Sequence, residues 1–196
     1  FEFFALCFSS LFALVNPVGI VPIFISITEE YSTKEKNKII RNSIIFAFFV
    51  LLSFSLIWDL IFSFFGTTIH AFKIAGGIIL FKISLDMVES KRSRTKTTPS
   101  EEKEAEDKKE VAYTPLGIPL IAGPGSIASI MILYSETNGD ISYKIHLFTA
   151  LNCVLLITLF TFRVSKYLLK TFGKSGLRIM QRIMGLILMV ISIEFI

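Results

Sequence analysis

Residues 16–22 read Asn-Pro-Val-Gly-Ile-Val-Pro, and they interrupt an apolar run that extends from residue 3 to residue 27. A proline inside a helix removes a backbone donor, and its ring clashes with the preceding turn, at a cost of roughly 3 kcal/mol. A glycine beside it costs about another 1 kcal/mol relative to alanine. The length and apolarity of the run are those a helix needs to cross the hydrocarbon core. Inside lipid, non-helical backbone survives only where protein buries it or water reaches it. The stretch therefore reads as a break near the middle of a membrane span.

Five more apolar runs follow, at 39–65, 69–88, 114–134, 144–165 and 177–196, the third carrying Lys73 and Lys82. The chain of 196 residues is 53% hydrophobic with 20 Phe, and its mean hydropathy is +0.66. These apolar residues come in blocks, with most of the charge in the gaps, which is the pattern of a polytopic membrane protein. The net charge of +4 does not point to nucleic acid, because the basic residues flank the spans in short connections. Residues 89–113 are expected to be a charged cytoplasmic linker that cannot bury enough apolar surface to fold alone. Lys34, Lys36, Lys38, Arg41, seven linker basics, Lys166, Lys170 and Lys174 all fall on one side when six spans alternate, against Lys144 on the other. The positive-inside rule then places the linker in the cytoplasm and both termini outside. Cys7 and Cys153 lie in apolar runs, so no disulfide is expected. The first run lacks a basic leader, which reads against a cleaved signal peptide, and both native ends are expected to be slightly trimmed.

The fourth run carries a second break, Pro119-Leu-Ile-Ala-Gly123-Pro124-Gly125-Ser126. Aligning Pro17 with Pro124 brings Gly66 onto Gly173. A one-residue shift then matches Gly77-Ile-Ile-Leu80 with Gly185-Leu-Ile-Leu188, Ser84 with Ser192 and Asp86 with Glu194. Matches in register along a whole half point to duplication. Three spans is an odd number, so the copies enter the membrane from opposite sides. The expected fold is an all-α membrane protein of six transmembrane helices, built as two inverted three-helix repeats. Residues 1–88 form one repeat and 114–196 the other, with the first helix of each broken at Pro/Gly. Inverted repeats with discontinuous helices place a binding site near the midplane in many secondary transporters.

A single Pro-Gly site in a span is most simply a kink, with glycine for close packing. Two at matching places favour half-helices whose N-termini offer N–H groups and a positive dipole end to a small carboxylate. The candidate binding residues are Asn16, Pro17, Gly19, Gly123, Pro124, Gly125 and Ser126. Asp59, Asp86 and Glu194 sit towards span ends, and Lys73 and Lys82 are placed to snorkel to the surfaces. Gly76, Gly77 and Gly185 are expected to let two helices approach closely. Asn152, midway along its span, reads as a buried polar group in need of a partner. His70 and His146 lie isolated at the outer edge, so no metal is expected. The chain has no His-Glu-x-x-His, phosphate loop or Gly-x-Ser-x-Gly, and an enzyme is not expected.

The runs Asn-Pro-Val-Gly-Ile-Val-Pro-Ile-Phe at 16–24, Phe-Lys-Ile-Ala-Gly-Gly-Ile-Ile-Leu-Phe at 72–81, Pro-Leu-Gly-Ile-Pro-Leu-Ile-Ala-Gly-Pro-Gly-Ser-Ile at 115–127 and Arg-Ile-Met-Gly-Leu-Ile-Leu at 182–188 together resemble the MarC family of prokaryotic inner-membrane proteins. The resemblance implies six spans. Because some members are described as small neutral amino-acid transporters, it also implies import or export of glycine- or alanine-sized substrates. Coupling to a gradient of H+ or Na+ is expected, with no cofactor. The expected partners are the lipid bilayer, a small amino-acid-like substrate and, as a homo-oligomer, further copies of the chain. A small-solute channel and a non-transporting membrane-assembly or stress protein are the alternatives.

Overall fold

The computed structural model describes residues 2–89 and 112–196; most of the expected linker at 89–113 lies outside them. The described residues are helical and contain no strand. In order they form α1 (Glu2–Val15), α2 (Val21–Ile27), α3 (Thr33–Phe65), α4 (Ile69–Val88), α5 (Tyr113–Ile121), α6 (Pro124–Ser135), α7 (Ile141–Arg163) and α8 (Ser165–Phe195). Three helices are long and apolar enough to cross a membrane: Thr33–Phe65, Ile141–Arg163 and Ser175–Phe195. α4 has the length but carries Lys73, Lys82 and Asp86. The first and fourth apolar runs are each divided into two shorter helices.

Helix ends follow the local chemistry. Ser32 starts α3 with a reciprocal capping box, accepting from the Glu35 amide while the Glu35 carboxylate accepts from the Ser32 amide. Gly66 ends α3 in the left-handed region at φ 62°, where glycine carries no steric penalty. Gly173 has the same φ and divides α8. α5 is wound wide, as a π-helix. Pro115 and Pro119 give it no amides, and its last turn closes from the Ala122 amide to the carbonyl five residues back, at Gly117 (2.9 Å).

Side-chain contacts set the helix directions. Phe3 packs on Tyr143 at the starts of α1 and α7, and Phe24 of α2 stacks on Phe162 near the end of α7 at 4.6 Å and 5°. α1–α2 and α7 are therefore parallel. α4 and α8 are antiparallel, and glycine makes their seam. A Cβ on Gly77 would lie 2.6 Å from Ile196 Cγ1 and 2.9 Å from the Ser192 carbonyl. One on Gly185 would lie 2.8 Å from Met87 Cβ and 3.1 Å from the Ser84 carbonyl. The close approach expected of Gly77 and Gly185 is thus present, whereas Gly76 faces side chains of α6, its Cβ position lying 3.2 Å from Ile132 Cδ1 and 3.7 Å from Ala128 Cβ. The core is apolar and dense around Leu11, Leu14, Leu51, Leu80, Leu120 and Leu151, yet the outer surface is apolar as well. Leu60 is 71% and Phe64 83% exposed, an arrangement suited to lipid rather than water.

Asn152 corrects its expectation. It is exposed on α7 rather than buried, and it donates Nδ2–H to the Phe148 carbonyl one turn back (2.7 Å). An amide on an apolar face satisfies itself in this local way when no neighbouring helix covers it.

Candidate functional site

The first break spans residues 16–20. Asn16 is buried and left-handed, with φ 49°, a conformation that asparagine tolerates better than most residues. Its Oδ1 accepts the Gly19 amide at 3.2 Å, and its carbonyl accepts the Ile20 amide at 3.3 Å. The Val21 amide donates to the Val18 carbonyl. The turn after Pro17 therefore satisfies these amides within itself. Gly19 has a steric reason, since a Cβ there would overlap the Asn16 carboxamide. Asn16→Gly should therefore be tolerated. Asn16→Val, which loses the side-chain bond and disfavours positive φ, should destabilise by about 2 kcal/mol. Thermal unfolding of the purified protein in detergent checks both.

The second break is built differently. Ala122 (φ −91°, ψ 62°) leaves α5, and Gly123 in extended conformation begins α6 with Pro124 as its first residue and no side-chain cap. The amides that such a start leaves without intrahelical acceptors are those of Gly123, Gly125 and Ser126, Pro124 having none. Ser126 is buried and donates its hydroxyl to the Ile121 carbonyl (3.1 Å), tying the two sides of the break together. Gly123 and Gly125 are buried, whereas Pro124 is exposed.

The two breaks are neighbours. A Cβ on Gly125 would stand 2.9 Å from Leu14 Cδ2, in the last turn of α1, and 3.1 Å from both Ile83 Cδ1 and Leu80 Cδ2 of α4. Leu14, Leu80 and Ile83 carry no polar signal, and sequence reading overlooked them. Their signal is purely geometric, a buried leucine or isoleucine facing a glycine. Asn16 and Ser126 each bond inside their own break. At the end of the bundle where α1 starts, a cavity of about 820 Å³ is lined by residues including Glu2, Leu6, Glu136, Tyr143, His146 and Glu194. Lys73 Nζ pairs with Glu136 Oε1 at 2.6 Å there, an ion pair in place of simple snorkelling.

The two broken apolar runs, α1–α2 and α5–α6, and the glycine seam of α4 and α8 are built from the four motifs quoted above. The family described as MarC family integral membrane protein matches residues 1–196. The chain belongs to the MarC family. It is 42% identical over 195 residues to a UPF0056 membrane protein of Methanocaldococcus jannaschii, covering 100% of this chain and 94% of the relative. It is 38% identical over 197 residues to the UPF0056 membrane protein YvbG of Bacillus subtilis, covering 100% and 93%. It is 36% identical over 189 residues to the UPF0056 membrane protein YhcE of Escherichia coli, covering 96% and 87%. No solved structure matches this MarC chain. As a member of that family it is an integral membrane protein.

Proposed function

We propose that this MarC protein is a secondary transporter of small neutral amino acids of glycine or alanine size. On this reading it has six spans arranged as two inverted repeats in a prokaryotic inner membrane, with both termini outside. The observation that carries the reading is the second break: a buried helix start without a side-chain cap, seated against the break in α1. Such a start suits a carboxylate, through its amides and the positive end of the helix dipole.

The repeat draws support from element matching. The offset that carries Pro17 onto Pro124 carries Gly66 onto Gly173, and both glycines have φ 62°. It also carries the connection at 28–32, between α2 and α3, close to 136–140, between α6 and α7. The parallel pairing of α1–α2 with α7 and the antiparallel pairing of α4 with α8 agree with alternating crossings. Lys36 and Lys166 lie within electrostatic reach of each other, in keeping with the basic loops gathering at one end.

Uptake of radiolabelled glycine and alanine into proteoliposomes, with and without an imposed proton or sodium gradient, tests the proposal. Saturable uptake that follows one gradient is expected. Its absence from correctly inserted protein would favour the non-transporting reading. One observation already favours that rival: the Asn16 Oδ1 and the Ser126 hydroxyl are each engaged within their own break.

A further inference from the structure

Hydroxyls in this chain characteristically donate to a carbonyl one turn back on their own helix, on exposed faces as well as in the core. Ser43 does so to Ile39, Thr158 to Val154 and the exposed Ser53 of α3 to Phe49. Thr149 of α7 does not. It is exposed, and among the described residues its hydroxyl has no partner. Asn152, one turn further on, is exposed as well and uses one N–H on the Phe148 carbonyl. Its second N–H and its Oδ1 have no partner among the described residues.

Both lie at the depth where an orphan polar group is most unfavourable. α7 is long and apolar enough to cross a membrane, and Asn152 is the central residue of its 23. Lipid tails offer no hydrogen bond there. Ile145, Thr149, Asn152 and Leu156 follow one another at steps of 4, 3 and 4 residues, with Phe160 a turn beyond, so they share one face of the helix. Ile145 is 60%, Leu156 63% and Phe160 65% exposed, while Leu147, Leu151, Val154 and Thr158 are buried. The stripe therefore faces away from the bundle, and no described helix of its own chain covers it. Alternating steps of three and four are the spacing of a helix that packs lengthwise on a second helix.

We propose that this stripe is the contact through which two copies of the chain dimerise in the membrane, with Asn152 of one copy hydrogen-bonded to Asn152 of the other. Copies inserted in the same direction bring parallel α7 helices together about a two-fold axis along the membrane normal. Each residue then meets its own counterpart at the same depth. A carboxamide suits that meeting because it is both donor and acceptor. The free N–H of each copy donates to the free Oδ1 of the other, while the bond to Phe148 stays in place. An asparagine within such a seam also fixes its register. Thr149 is small enough to let the two backbones approach, and its hydroxyl is free to donate across the seam. A lipid tail supplies none of these partners. Dimerisation through α7 is independent of the transport reading.

Cysteine cross-linking of the full chain in native membranes tests the contact. Cys153→Ala leaves only Cys7, which is fully buried in α1. With Leu156→Cys added, mild oxidation should give a product of twice the chain's mass on non-reducing gels. Leu60→Cys in the same background, on the exposed face of α3, should stay monomeric. No product at Leu156→Cys, or equal product at Leu60→Cys, overturns the contact. A product of a different mass would put another protein on the stripe and overturns the second copy as its occupant. The part played by Asn152 is read from energy transfer between donor- and acceptor-labelled copies in liposomes of rising lipid-to-protein ratio. Asn152→Leu, close in volume, should weaken association roughly tenfold or more through the loss of two symmetric hydrogen bonds. It should elute as folded protein, because the side chain touches no other helix of its own chain. Asn152→Gln, which keeps donor and acceptor, should retain most of the association. Undiminished association in Asn152→Leu removes the asparagine pair and overturns the proposal.

Discussion

Gly77→Leu is expected to leave no folded protein. The position lies on the α4–α8 seam, where a Cβ alone would stand 2.9 Å from the Ser192 carbonyl and 2.6 Å from Ile196 Cγ1. A side-chain tip can rotate away, but a backbone carbonyl in a helix moves only with its helix. Leucine adds three carbons beyond that Cβ, so α4 and α8 would have to separate along their contact. Overpacking a dense core typically costs 1–3 kcal/mol, and here about 3 kcal/mol or more is expected because backbone is the obstacle. In lipid no hydrophobic force between helices offsets the lost contact, since the tails are as apolar as leucine. Size-exclusion chromatography of detergent-solubilised protein should show Gly77→Leu as aggregate. Gly76→Ala should elute like the wild type, because the Cβ there meets Ile132 Cδ1 at 3.2 Å and Ala128 Cβ at 3.7 Å. A normal Gly77→Leu profile would mean that the seam is loose.

Element positions were legible because span length and proline are strong signals. All six apolar runs are helical, and both breaks fall where Pro17 and Pro124 put them. Helix rotation was far less legible. Lipid-facing and core-facing side chains are equally apolar, so hydropathy did not show that Asn152 points outward, nor that Leu14, Leu80 and Ile83 close over Gly125. The two breaks also proved unlike. Asn16 answers a lost helix bond with its own side chain, which a glycine at the matching position, Gly123, has no means to do. On the proposed transport reading, the substrate's carboxylate is therefore assigned to the second break rather than equally to both. The ion pair of Lys73 with Glu136 depended on a contact across 63 residues of sequence, which charge pattern alone does not specify.

Gly125→Leu is expected to abolish glycine uptake in proteoliposomes while the protein still inserts and elutes normally. The neighbours of the missing Cβ are the tips of three flexible side chains, Leu14 Cδ2, Leu80 Cδ2 and Ile83 Cδ1, so rotamer changes absorb part of the insult without backbone movement. What they cannot restore is the approach of α1 to the first turn of α6. Separating the two alters the position of the Gly125 and Ser126 amides relative to the first break by an ångström or more. Misplacement on that scale costs on the order of a hundredfold in processes that depend on oriented groups. Gly125→Ala, with a single methyl against mobile tips, should retain measurable uptake at a raised half-saturating concentration. A graded loss from glycine through alanine to leucine, at constant protein yield, is the signature of a site at the break. Uptake that survives leucine would put the substrate elsewhere, and equal loss of yield and uptake would reduce Gly125 to a packing residue like Gly77.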